Sequence, residues 1–250
     1  MTLEPYIALR ATQFLLGIGI ALQASEVLAT RSAHARLCIG KHPPDFWAQW
    51  LTAKMIVRLV LSSVLIVGFG KYLSVIEPVF YMGLLFSSVG LVVRFNGPLG
   101  GGSDSMTFQV LIGLLIASLG VANPALVQIG LGWIAAQSVL SYFLAGVAKL
   151  RTANWRRGLA LQTLLRSNGP YTLFAPTRNL ADSKTLCAGL SWMIIFFEIA
   201  FPLVLILPWE GKLVLLSAGL LFHITNAVVL GLNRFVWAWT ATYPALLYFA

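Results

Sequence analysis

The chain has 250 residues, 58% of them hydrophobic and 10% charged, with a formal net charge of +9 and a mean hydropathy of +0.84. Soluble domains carry about 25% charged residues, so there is too little charge here to solvate a globular surface. Apolar runs long enough for membrane spans recur along the whole length, and no ten-residue alternation of the β-barrel type accompanies them. The expected fold is therefore all-α: a polytopic transmembrane helical bundle forming a single integral membrane domain over residues 1–250.

In chain order, about eight apolar segments are expected, over 9–29, 51–70, 73–93, 106–122, 124–149, 186–208, 212–231 and 234–250. The first is not a cleaved signal: Glu4 precedes the apolar run Leu15 to Leu28, and Gln23 and Glu26 interrupt it. A loop from Arg31 to Trp50 carries Arg31, Arg36 and Lys41, and Pro43-Pro44 is expected to break any helix there. Gly70-Lys71 reads as a tight turn. The stretch FNGPLGGGSDSM, Phe95 to Met106, lacks the lysine that a phosphate-binding loop needs after its glycines. It is expected to leave a span at Arg94 and to cap the next with Ser103, Asp104 or Ser105. Pro124 suits a first helical turn, where its missing N–H costs nothing.

The loop from Lys149 to Lys184 holds seven basic residues against Asp182. Within it, ANWRRGLALQTLLR places Leu161, Leu164 and Leu165 on one helical face and Gln162 and Arg166 on another, as an interfacial amphipathic helix would. The final segment is short and contains Pro244, so it is expected to tilt or to re-enter the membrane. Cys38 and Cys187 sit in no metal-binding or redox spacing. Because the basic residues collect between spans, membrane lipids are the expected partners rather than nucleic acid. The charge bias puts the basic loops in the cytoplasm and both termini outside.

Ionisable groups within spans cost about 2.5–3.5 kcal/mol each on insertion scales, which makes them functional candidates. Glu198 lies mid-span, with Pro202 a turn later. Lys54 and Arg58 share a face at i, i+4, and Glu26 lies near the end of the first span. These four are read either as ion-pair partners across helices or as the lining of a cavity. Lys149 is either a snorkelling lysine at a helix end or a general base. His223 has no other histidine at matching spacing, so no metal site is expected.

Two stretches carry a resemblance. SYFLAGVAKLRTANWRRG reads Tyr142, Phe143, Ala145, Gly146, Lys149 and Leu150, then Trp155 and Gly158, and LLFHITNAVVLGLNRFVWAW holds His223, Gly231 and Phe235. Together they resemble the HTTM (horizontally transferred transmembrane) family and the membrane domain of vitamin K-dependent gamma-carboxylase. In that carboxylase the lysine of the first run is the base that deprotonates vitamin K hydroquinone. Oxygen then converts the quinol anion to an alkoxide, which takes a glutamate γ-proton before CO2 adds. The resemblance implies a quinone-like cofactor, Lys149 and His223 as catalytic candidates, and a bacterial inner-membrane protein. It puts the Lys149 side on the external face, opposite to the charge bias. Arg94, Asn96 and Asp104, on the same face as Lys149 by span count, are expected at the mouth of the site. The carboxylase also has a large extramembrane domain that grips its protein substrate. Without one in these 250 residues, processive carboxylation of a protein is not expected. The alternative reading is a non-catalytic subunit of a redox or pigment-protein membrane complex, docking through apolar helix faces and basic loops. DoxX-like proteins, a related short-bundle family working beside quinone-linked oxidoreductases, favour a redox role of that kind.

Overall fold

The computed structural model describes residues 3–30, 44–68, 76–94, 102–120, 123–166 and 177–249. All regular structure among them is helical, in the order α1 (Pro5–Ala29), α2 (Pro44–Val67), α3 (Glu77–Arg94), α4 (Gly102–Ser118), α5 (Pro124–Arg151), α6 (Ala153–Arg156), α7 (Leu159–Arg166), α8 (Thr177–Asp182), α9 (Lys184–Ala200), a 3-10 segment (Phe201–Leu205), α10 (Trp209–Leu230), α11 (Asn233–Thr240) and α12 (Tyr243–Tyr248). Five segments among the described residues are long and apolar enough to cross a membrane: Pro5–Ala29, Ala48–Val67, Pro124–Arg151, Lys184–Leu205 and Trp209–Leu230. The other three expected spans are shorter, at 18 residues in α3, 17 in α4 and the two short helices α11 and α12 at the end of the chain.

Proline explains most of the differences in boundaries. Pro44 opens α2 rather than breaking it, and Pro5 stands at the start of α1, because a first-turn residue has no intrahelical N–H bond to lose. Pro244 stands in the first turn of α12 after the chain has turned at Ala241 and Thr242, so the final apolar segment divides in two. Pro202 would have to donate an N–H to the carbonyl of Glu198 to continue α9. Having none, it falls in the first turn of the 3-10 segment that replaces the α-helix from Phe201.

The chain gathers into two compact units. In the first, Thr2–Ala135 with Trp237–Phe249, α1 and α2 close a core of Ala24, Val27, Leu51 and Met55, with Leu28, Trp50 and Leu59 packed against it. At the crossing of α4 and α5, a Cβ on Gly130 would overlap the carbonyl oxygen of Gly113. Small residues let membrane helices approach closely where no hydrophobic drive between helices is available. Asn123 caps α5, its side chain accepting from the Ala125 N–H at 3.0 Å.

The second unit, Ala136–Val236, holds the end of α5, helices α6 to α10 and the start of α11. The amphipathic stretch is two helices, α6 and α7, separated at Gly158, whose φ of 75° is open to glycine. Leu161 and Leu165 of α7 pack with Ala181 and Cys187, bordered by Trp155, Leu190 and Val229. Leu164 points outward, whereas Gln162 is buried and donates to the Ala181 carbonyl at 2.9 Å. The buried stripe is thus rotated toward Gln162 from the leucine-only face the sequence suggests. Ser183 caps α9, accepting from the Leu186 N–H.

Gly158 sits hard against α9: an added Cβ would come within 2.5 Å of the Ala188 nitrogen and 2.7 Å of the Cys187 carbonyl carbon. Gly158→Ala is expected to cost about 1–3 kcal/mol or more from the positive φ alone. Gly83→Ala in α3, where nothing lies within 4 Å of the new methyl, should be neutral or stabilising. Thermal unfolding of the two variants in detergent tests the contrast.

Candidate functional site: a buried lysine–glutamate pair

On α5, Tyr142, Gly146 and Lys149 stand at i, i+4 and i+7, and so line one helical face. That face meets α9 in antiparallel register, with Tyr142 against Phe201, Gly146 against Glu198 and Ile199, and Lys149 against Glu198. A Cβ on Gly146 would come within 2.8 Å of Ile199 Cγ1 and 2.9 Å of Glu198 Cβ. The glycine is what lets the two backbones close far enough for the charges to meet.

Lys149 Nζ lies 2.7 Å from both Glu198 Oε1 and Oε2. The Glu198 side chain is 4% exposed and that of Lys149 18%, so the acid is the more enclosed partner. The Trp155 ring centroid is 5.2 Å from the same Nζ, which adds a cation–π contact. Two turns of α5 earlier, the Tyr142 hydroxyl and His223 Nε2 are 2.6 Å apart. Tyr142 is stacked on Phe201 at a centroid distance of 3.8 Å and meets Phe197 edge-on. The His223 and Phe235 rings are 6.3 Å apart. Tyr142 and His223 thus lie in one cluster of rings with Phe197, Phe201, Phe222 and Phe235.

The remaining candidates are elsewhere. In the first unit, Arg58 is buried and donates to Ser88 Oγ at 3.0 Å, to Ser87 Oγ at 3.3 Å and to Gln23 Oε1 at 2.8 Å. Gln23 Nε2 in turn donates to Asp104 Oδ1 at 2.5 Å. A glutamine therefore bridges the arginine and the carboxylate. Asp104 is buried inside the first turn of α4, which begins at Gly102. Lys54 is half-buried, its Nζ 4.6 Å from the Trp50 ring centroid, and Glu26 is half-buried near the end of α1. Arg94 is the last residue of α3, and Asn96 lies outside the described residues.

Sequence reasoning did not assign Tyr142, Trp155 or Phe201 to this site. The helical spacing of Tyr142 and Lys149 was available for the first of these. Phe201 becomes a neighbour only when α5 and α9 pack.

The helices and their membrane-buried ionic groups define an integral membrane protein. The HTTM domain model matches residues 122–250, just over half of the chain and all of the Lys149–Glu198 site. The chain belongs to the HTTM family. No curated protein and no solved structure matches it.

Breaking a buried pair by removing one partner costs about 3–5 kcal/mol, because the other charge is left uncompensated. Lys149→Met and Glu198→Leu are each expected to fall in that range. The double variant should recover most of the loss, and a double-mutant cycle of detergent unfolding measures the coupling.

Proposed function

We propose that this HTTM protein acts on or with a quinone-like or lipid molecule, with Lys149 as the base and Glu198 as its proton partner. The observation that carries the reading is the amine held at 2.7 Å by both oxygens of a buried carboxylate. The likeness of the Tyr142–Gly158 run to the vitamin K-dependent carboxylase supports it independently.

The residues fit such a group. The pair offers a proton acceptor, Trp155 offers a ring face beside the amine, and Phe197 and Phe201 pack on Tyr142 two turns away on the same helix face. A bound quinol would supply a weakly acidic hydroxyl and, once ionised, reactivity toward oxygen. The chain's own part is proton handling. Moving the ammonium proton of Lys149 onto a Glu198 oxygen leaves a neutral amine beside a carboxylic acid. Nζ is then free to take one proton from a hydroxyl, and the resulting ammonium balances the new anion. A low-dielectric site strengthens that balance. Tyr142 and His223 hold the helix face that presents Lys149, as positioning residues.

Two measurements test this: mass spectrometry of lipids extracted from the purified protein, and the rate of oxidation of a short-chain isoprenoid naphthoquinol. Lys149→Arg keeps the charge and the partner but removes the base. It is expected to lower the rate about 100-fold or more, the size of a general-base contribution, with unfolding unchanged. Wild-type protein that neither retains nor turns over a quinone, or a Lys149→Arg variant of undiminished rate, overturns the reading. A stoichiometric membrane-protein partner recovered with wild-type protein that retains no quinone would establish the subunit alternative instead.

A further inference from the structure

The first unit contains a cleft of about 320 Å³, whose walls include Tyr6, Arg10, Gln13, Glu77, Leu114 and Val127. Its walls come from the first three turns of α1, the opening turns of α3 and α5, and the last two turns of α4 with Gly120 just beyond it. Helix α1 has 25 residues, about 37 Å at 1.5 Å per residue, against a hydrocarbon core of about 30 Å. The opening turns of a spanning helix of that length lie at the depth of lipid headgroups and glycerol. Tyr6, 69% exposed, is the kind of side chain that lodges there.

The polar side of the cleft is preorganised. Arg10 Nη1 donates to Gln13 Oε1 at 2.6 Å and Nη2 to the Val67 carbonyl at 3.2 Å, while Gln13 Nε2 donates to the Tyr81 hydroxyl at 2.6 Å. The guanidinium lies across Gly68, where any Cβ would overlap it. Among the described residues these two bonds leave three of the five guanidinium N–H groups without a partner. Glu77 lines the same cleft within electrostatic reach of Arg10. Yet the ion pairs among the described residues are Lys149–Glu198 and Arg166–Asp182, and neither includes Arg10 or Glu77. Two opposite charges therefore share a cleft without closing on each other.

We infer that this cleft binds the head of a zwitterionic phospholipid bearing a primary amine, its phosphate on Arg10 and its ammonium on Glu77. Phosphatidylethanolamine carries one charge of each sign in its head, as the cleft does, and its acyl chains continue along Leu114 and Val127 into the bilayer. An anionic head would satisfy Arg10 but would bring a second negative charge beside Glu77, which electrostatic complementarity disfavours. The volume is at the lower end of the range for small-molecule sites, enough for a head and its glycerol but not for whole chains. The site shares no residue with the Lys149–Glu198 pair, so it stands or falls independently of the proposed chemistry.

Native mass spectrometry of the full chain in detergent, incubated with equal amounts of phosphatidylethanolamine and phosphatidylglycerol, is the test. Wild type is expected to retain the ethanolamine lipid about tenfold better, the worth of one charge-assisted contact. Glu77→Gln, which breaks no hydrogen bond or ion pair among the described residues, should abolish that preference by lowering retention of the ethanolamine lipid to the level of phosphatidylglycerol. Arg10→Gln should lower retention of both lipids about tenfold. Equal retention or a preference for phosphatidylglycerol by wild type overturns the inference, as does an undiminished preference in Glu77→Gln. Displacement of the lipid by an equal concentration of soluble glycerophosphoethanolamine overturns it as well, since the chains would then contribute nothing.

Discussion

A charge inside a membrane bundle must be paired, and the Lys149–Glu198 contact is the pairing on which the second unit depends. Moving either ion out of water carries an effective penalty of several kcal/mol, and only close geometry with additional contacts offsets it. The local sequence serves that geometry. Gly146 removes the side chain that would hold α5 and α9 apart, and Tyr142 on Phe201 fixes their register two turns away. Trp155 approaches Nζ because the chain turns sharply after α5, through Thr152 and the short α6, so that the indole returns over the lysine. Gly158 then lets the chain lie directly on the α9 backbone.

The first unit handles its buried charge differently. Arg58 and Asp104 do not touch. Gln23 stands between them, its carbonyl accepting from the arginine and its amide donating to the aspartate. A glutamine can do this because it presents both a donor and an acceptor, and two serines of α3 take further guanidinium protons. Such a relay is dispersed over four side chains around Gln23, whereas the Lys149–Glu198 pair is compact, its amine directly on the carboxylate. Of the two, the compact pair is the better suited to exchanging protons with a bound molecule.

Much of this was legible in the chain. Composition excludes a soluble fold, and Glu198, Lys149, Arg58 and His223 draw attention because ionisable groups in apolar runs are costly. The motif around Lys149 pointed to the HTTM family, whose domain model covers residues 122–250. Pairing was the harder part. Two acids and two bases in the spans suggested mutual ion pairs, but Arg58 is met by a glutamine and two serines, and Glu198 by the lysine at the end of α5. Serine is nearly neutral in hydropathy, so Ser87 and Ser88 left little trace, while Gln13 and Gln23 show as polar breaks in an apolar run without naming the partners they meet.

By itself, then, the sequence determined what is local or additive. It set the helical class, the approximate apolar segments, the proline that opens α5, and the face shared by Tyr142, Gly146 and Lys149. Helical periodicity and transfer free energy act over a few residues and need no partner. The tertiary structure decided which charge meets which, the two-helix form of the amphipathic stretch, and the division of the last apolar segment. It also brought Arg10 and Glu77, 67 residues apart in the chain, to one cleft. Those outcomes depend on backbones approaching within a side chain's reach across long stretches of sequence. Glycine contacts and helix crossings govern that approach, and neither is visible until the helices pack.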